Sequence, residues 1–337
     1  MADQGARPPT LKTISEMTGL SLSTVSLSLR NGARLKKETR EKVAQAAAQI
    51  GYVPNRAGVR LRTGQTNVLA LVLAPEQNTI DYTRRLIQGI GDRLQGTKYH
   101  LNVIPEFRTG QSTSAIDYIL SNRTADGVIL THTSQRDPRA ETMLDAGFPF
   151  VTHGRTEFRR AHAYLDFDAT RYLQMGVQRL SDLGRKNVAL AVLDNQTTNF
   201  QQIEQSFERA IKASGLSGSV IKSYDDLGTP EAARAFGQRL ARDGGEIDGL
   251  MCNNELTALA ILGGLNAEGL SMGRDFDMVC KQTTEILPAL QPGMDTIAED
   301  LFASGGELAN LLIRRIAGET ISDLQSLNEP LPMWPVS

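Results

Sequence analysis

From Met17 to Ser26 the chain reads Met-Thr-Gly-Leu-Ser-Leu-Ser-Thr-Val-Ser, small hydroxyl side chains interleaved with leucines just after a glycine. Hydroxyls on the first turns of a helix can hydrogen-bond to phosphate oxygens, and leucines beside them can meet thymine methyl groups. The elements that must present them follow from the same residues. A short apolar-periodic helix ends at Gly19, where glycine accepts the left-handed turn that stops it. Ser21 is then a fresh N-cap for a second helix. Two short helices joined by a glycine-containing turn form a helix-turn-helix, whose second helix enters the major groove of DNA. A third helix is expected over about Glu38 to Ile50, followed by Gly51-Tyr52-Val53-Pro54-Asn55.

Helical geometry sorts the second helix into two sides. Leu22, Ser23 and Leu27 share the face that would read base edges. Val25 and Leu29 point the other way, into a core with Ile14, Met17, Val43 and Ile50. Ser21, Thr24 and Ser26 are placed for phosphates, which position a reader without specifying sequence.

Charge agrees with this reading. Residues 1–65 carry eleven Lys or Arg against four Asp or Glu, a formal +7, while the remainder carries 25 against 34, a formal −9, together the chain's −2. A basic module on an acidic body is the electrostatic footprint of nucleic-acid binding.

The organisation of the rest is α/β. Residues 1–53 read as the helical head (1–9 a flexible tail), 54–66 as a hinge rich in glycine and arginine, and 67–337 as a body for ligand binding and dimerisation. Val68–Ala74 is an unbroken apolar run, as in a strand buried on both faces of a parallel sheet. Strand and helix patterns then alternate to the end, in two series, which implies two lobes of parallel sheet with a cleft between them. The first lobe is expected over about 67–165 plus 295–325, the second over about 166–294 plus 326–337. Gly89-Ile-Gly91 sits inside a helix pattern and reads as packing.

Residues 10–64 resemble the head of the lactose-repressor (LacI/GalR) family of bacterial transcription regulators. The resemblance is carried by Thr24-Val25-Ser26, Asn31-Gly32, Thr39-Arg40, Gly51-Tyr52, Pro54-Asn55 and Leu61, in order and at the family's spacing. It implies that Arg34 makes a base contact and that Thr39, Tyr52 and Asn55 contact phosphates. It also implies that Asn55–Leu61, with Arg56 among its DNA contacts, becomes a hinge helix when two copies meet on DNA. Leu61 would then wedge into the minor groove, at a cost of a few kcal/mol in unstacking. Two departures stand out. Leu27 replaces a longer polar residue, and Lys36 stands where a serine commonly caps the third helix, a loss of about 1 kcal/mol. Gly58 in place of alanine costs the hinge helix about another 1 kcal/mol.

The body resembles type I periplasmic sugar-binding proteins, in which ligands sit at the C-terminal ends of parallel strands. This resemblance implies a cleft lined by Tyr82, His132, Arg155, Asn199, Phe200, Asn254, Lys281 and Gln282. Tyr82 matches an aromatic that packs on the ligand; Asn254 matches the Asn of an Asn-Asp pair, with Glu255 for the Asp. The family's ligand-gripping arginine falls on Ile203. The expected effector is a sugar or glycoside, and the expected role is repression of an operon for its uptake or catabolism. Arg155 and Lys281 leave open an anionic sugar derivative or an amino-acid conjugate.

Other classes fit less well. A transport binding protein would want an export signal, and Met1–Pro9 is polar; no apolar run approaches the roughly 20 residues of a membrane span. There is no Gly-x-Gly-x-x-Gly after the first strand, no Walker motif and no metal spacing among the four histidines. The expectation is a non-enzyme without cofactors. Cys252 and Cys280 fit buried small hydrophobes in a reducing cytosol. The partners expected are a near-palindromic double-stranded operator, a carbohydrate effector and a second copy of the chain, with no membrane.

Overall fold

In the computed structural model of the protein, residues 9–29, 35–52, 60, 64–73, 82–106, 113–193, 197–243 and 246–335 are described. The chain divides into two compact units, Met1–Thr66 and Asn67–Ser337.

The first unit holds α1 (Leu11–Thr18), α2 (Leu22–Ser28) and α3 (Lys37–Gln49). Thr10 and Thr13 close a capping box at the start of α1, and Gly19 ends the helix at φ +70° with its N–H on the Ser15 carbonyl. Ser21 caps α2 by accepting from the Thr24 amide. Lys36 has the backbone of a helix start but no side-chain cap bond. Ile14, Val25 and Val43 are fully buried together, with Leu11, Leu20, Leu29, Ile50 and Tyr52 packed around them. Met17, expected in this core, is 44% exposed. Leu11, Ile14 and Thr18 turn the inward stripe of α1 to one side of it, and the Thr18 hydroxyl is satisfied by the Ile14 carbonyl.

From Asn67 strands and helices alternate. The first lobe runs β1 (Val68–Leu73), α4 (Tyr82–Leu94), β2 (His100–Pro105), α5 (Ser114–Asn122), β3 (Gly127–Leu130), α6 (Pro138–Asp145), β4 (Phe150–His153) and β5 (Ala163–Phe167). The second runs α7 (Ala169–Asp182), β6 (Asn187–Ala191), α8 (Thr198–Ser214), β7 (Ser217–Ile221), α9 (Tyr224–Leu227), α10 (Pro230–Arg242), β8 (Gly249–Cys252), α11 (Glu255–Ala267), β9 (Asp277–Gln282), α12 (Ile286–Leu290) and β10 (Asp295–Ala298). The chain then returns through α13 (Leu301–Ile316) and a 3-10 turn to β11 (Gln325–Asn328), and β12 (Leu331–Met333) follows. One sheet has the order β11-β5-β4-β3-β1-β2 and the other β12-β10-β9-β8-β6-β7. All neighbours pair in parallel except β10 and β12.

The end of the chain divides differently from the sequence expectation. Asp295–Ala298 pairs with Val279–Gln282 and so belongs to the second sheet, not the first. Gln325–Asn328 pairs with Tyr164–Phe167 and belongs to the first, leaving β12 to return to the second. Strands of three or four residues carry too little pattern to reveal their sheet. Only α13, with its long amphipathic stripe, shows its lobe. It packs so closely on α4 that a Cβ on Gly89 would lie 1.9 Å from the Phe302 carbonyl oxygen. Cys252 and Cys280 are register partners on β8 and β9, buried as free thiols, and burial pushes the Cys252 thiol up to about 12.

Candidate functional site

In the head, the side chains of α2 differ in exposure. Leu22 is 51% exposed, Ser21 and Ser23 are exposed, and Thr24, Ser26 and Leu27 are half-buried. Leu27 is not among the residues packed on the head core. Ser21 Oγ lies 2.8 Å from both Ser23 Oγ and Thr24 Oγ1, a row of hydroxyls at the N-terminal end of the helix, where backbone N–H groups also favour an anion. Thr39 stands in the first turn of α3, its amide on the Lys36 carbonyl. Tyr52 packs its ring on the head core. Arg34, Asn55, Arg56, Gly58 and Leu61 lie outside the described residues.

In the body, residues at the C-terminal ends of strands from both parallel sheets meet between the lobes, where the cleft is expected. Tyr82 opens α4, and its ring is 5.0 Å from that of His132 and 5.8 Å, stacked, from that of His153. His132 follows β3 at φ +53°, an uncommon backbone for a non-glycine residue. Arg139 holds that backbone, donating to the Thr131 and His132 carbonyls at 3.2 and 3.3 Å while paired with Asp137 and Glu106.

Deeper in, a line of polar groups joins the lobes. Tyr82 Oη is 2.5 Å from His153 Nδ1 at the end of β4. His153 Nε2 is 3.3 Å from Glu299, on the crossover from β10 to α13, and Lys281 Nζ of β9 is 2.5 Å from the other Glu299 oxygen. Lys281 also lies 4.3 Å over the Phe167 ring at the end of β5. Burial would raise the Glu299 carboxyl, but the Lys281 ammonium and the His153 hydrogen bond outweigh it and hold the group at about 2. At the rim, the Thr198 amide donates to the Thr133 carbonyl, Arg155 reaches Gln202, and Arg85 reaches Glu285, each bond crossing from lobe to lobe.

The expected ligand residues therefore separate into groups. Tyr82, at the start of α4, and Lys281, at the end of β9, belong to this line; the His132 ring lies against that of Tyr82, and Gln282 follows Lys281 on β9. Arg155 is half-exposed and engaged by Asp166 at 2.5 Å. Gln282 takes a bond from Thr296 on its oxygen. Phe200 is 5% exposed in the core of the second lobe, where its ring serves packing, and Asn199 stands beside it in the first turn of α8. Ile203, where the family has an arginine, is in the same core. Asn254 caps α11, accepting from the Thr257 amide and hydroxyl, and Glu255 is gripped by Thr283 and Thr284. The neighbouring Asn253 has a buried amide oxygen with no partner among the described residues, as does the Thr198 hydroxyl. His153 and Asn253 stand at the strand ends that the sequence reading placed around the cleft, and Glu299 is a site residue that it did not name. His153 and Glu299 each end or follow a strand, the only local signal they carry. Among the described residues no cluster could hold a metal ion, and no helix is long and apolar enough to cross a membrane.

Comparison with known proteins agrees with this geometry. Residues 10–55 match the model of bacterial regulatory proteins of the lacI family, and residues 177–331 match a periplasmic binding protein-like domain. The HTH-type transcriptional regulator CelR of Thermobifida fusca is 26% identical over 96% of both chains. AglR of Rhizobium meliloti is 26% identical over 93% of this chain and 89% of its own. Among solved structures, the Lac repressor dimer bound to operator superposes with a TM-score of 0.82 at 19% identity, covering 97% of this chain and 98% of that one. A CelR–cellobiose complex gives 0.70 at 24% identity, covering 96% and 98%. With its helix-turn-helix head and its two-sheet body of periplasmic-binding-protein type, the chain belongs to the LacI family of bacterial transcriptional regulators.

Proposed function

We propose that the protein is a dimeric, effector-controlled repressor that binds a near-palindromic operator through its head and an uncharged carbohydrate through the cleft of its body. The observation that carries the effector class is the charge balance of the cleft. The two cations that could have recognised an anion already face carboxylates, Lys281 on Glu299 and Arg155 on Asp166. Neither has a charge left uncompensated. Around the cleft, Asn253 Oδ1 and Thr198 Oγ1 lack a partner among the described residues and are neutral, while Arg85 Nε and Glu106 Oε1 also lack one but belong to groups already paired with Glu285 and Arg139. Buried polar groups are normally hydrogen-bonded, so the two neutral groups favour a ligand rich in hydroxyls. The relatives support the same class, since CelR has been solved with cellobiose and another solved structure is described as a probable maltose operon transcriptional repressor.

An effector changes operator affinity only by binding two arrangements of the body unequally, with a coupling typically of 1–3 kcal/mol. The rim bonds between lobes are what such a ligand would stabilise or release. Operator binding followed by mobility shift, with a panel of neutral disaccharides and their aldonic acids, tests the proposal. A neutral sugar should alter operator binding, and the acids should not. Asn253→Ala should weaken that sugar about tenfold. Asn254→Ala should act mainly on stability through the cap of α11. A response confined to the acids would reject the reading.

A further inference from the structure

We propose that His153 and Glu299 are positioning residues that fix the direction of the hydrogen-bond chain ending at Tyr82, so that the Tyr82 hydroxyl meets the effector only as an acceptor. This rests on the reading of the cleft as the effector site.

The chain is determined from its closed end. Glu299 has a side chain 3% exposed, and the Lys281 ammonium at 2.5 Å matches its charge one for one. A carboxylate only accepts, so the His153 Nε2 that lies 3.3 Å from it carries a hydrogen. A second hydrogen on Nδ1 would set two buried cations against one carboxylate, an imbalance that burial opposes. The imidazole is therefore neutral, and Nδ1 is a lone pair. That lone pair lies 2.5 Å from Tyr82 Oη, so the hydroxyl donates to it. A phenol has one proton. Once it is given to His153, Tyr82 is an acceptor toward every other group, whatever else it touches.

The consequence is chemical selection. A ligand group meeting Tyr82 must bring a hydrogen, as a sugar hydroxyl does. A carboxylate or carbonyl oxygen there would set lone pair against lone pair. The ring contacts with His132 and His153 hold the phenol in place, so it cannot swing away to avoid the clash at no cost. The selectivity thus originates at Glu299, on the crossover between the lobes, and reaches the ligand through two hydrogen bonds.

The test uses full-length protein labelled with ¹⁵N-histidine, the four histidines being assigned by replacing each in turn. Long-range ¹H–¹⁵N spectra at neutral pH should show His153 as the neutral Nε2–H tautomer. An Nδ1–H tautomer or an imidazolium overturns the proposal, and neither outcome depends on any ligand. In Lys281→Met/Glu299→Gln the amide can donate as well as accept, so the single tautomer should give way to a mixture; an unchanged tautomer would show that Glu299 does not set it. Cellobiose and its aldonic acid serve as binding probes. If cellobiose binds, Tyr82→Phe should weaken it roughly tenfold and leave the acid unaffected or tighter. Equal weakening of both would overturn the acceptor assignment. If neither probe binds the wild type, the reading of the effector fails, and the spectra still decide the relay.

Discussion

Lys281 and Glu299 form a buried ion pair, 2.5 Å between ammonium and carboxylate, with side chains 12% and 3% exposed. One partner sits on a strand of the second sheet and the other on the crossover leaving it, so the pair lies where the lobes join. Removing one member of such a pair leaves the other charged, buried and alone, typically at a cost of about 3–5 kcal/mol. Glu299→Gln and Lys281→Met should each destabilise the body by roughly that amount in urea unfolding. The double variant leaves no uncompensated charge and should recover most of the loss. Additive losses would mean that the two side chains do not act as a pair.

The same pair sets a pH dependence. The Glu299 carboxyl titrates at about 2 in the folded protein against an ordinary 4.5. Because the folded value is the lower one, the carboxylate contributes stability that is fully present above the unfolded value and is lost as pH falls toward the folded one. That contribution is on the order of 3 kcal/mol. Between about pH 5 and pH 2 the wild type should therefore lose more stability than the Lys281→Met/Glu299→Gln variant. Parallel acid-unfolding curves for the two proteins would contradict this.

What the sequence could show depended on length of pattern. Val68–Leu73 is a strand within the apolar run Val68–Ala74, because a wholly apolar strand buried on both faces repeats its signal at every residue. Gly19 and Ser21 mark the turn of the head because each does a specific backbone task. The short helices at Tyr224–Leu227 and Ile286–Leu290 and the strands β11 and β12 were not read, since one turn or three residues establish no period. The cleft was legible only as an address, the strand ends. Lys281 was read as a cation awaiting an anion, and its partner Glu299 lies 18 residues later on another segment. No local pattern announces such a pair. Phe200 and Asn254, expected in the cleft, also have structural tasks, one ring packed in the core and one amide capping a helix.

The close seat of α13 on α4 gives a sharp contrast between two nearby glycines. A Cβ on Gly89 would meet the Phe302 carbonyl oxygen at 1.9 Å and its carbon at 2.8 Å, both backbone atoms that cannot rotate away. Gly91 has nothing within 4 Å and is exposed. Gly89→Ala should destabilise the body by about 3 kcal/mol or more, through forced separation of the helices. Gly91→Ala should stabilise it by roughly 0.5–1 kcal/mol, because alanine gives up less backbone freedom in a helix. Calorimetric unfolding of both variants checks the sign of each, and a stabilising Gly89→Ala would mean that the two helices pack further apart than described.

The exposed leucine of α2 makes a prediction about the operator. Leu22 is 51% exposed at the N-terminal end of the helix, the end from which base edges are reached, and it offers no hydrogen bond. Its contribution to recognition would therefore be apolar contact, for which the thymine methyl is the one apolar group on the major-groove edge. Replacing thymine by uracil at a contacted position removes that methyl and nothing else. It should weaken the wild type about fourfold, the equivalent of about 0.8 kcal/mol for one buried methyl group. In Leu22→Ala the same base change should matter little, since the partner surface is already gone. Titrations must be compared at one salt concentration, because phosphate contacts make all affinities salt-dependent. If uracil at every position weakens both proteins equally, Leu22 does not read the methyl, and that apolar contact lies with Leu27 or with residues beyond α2.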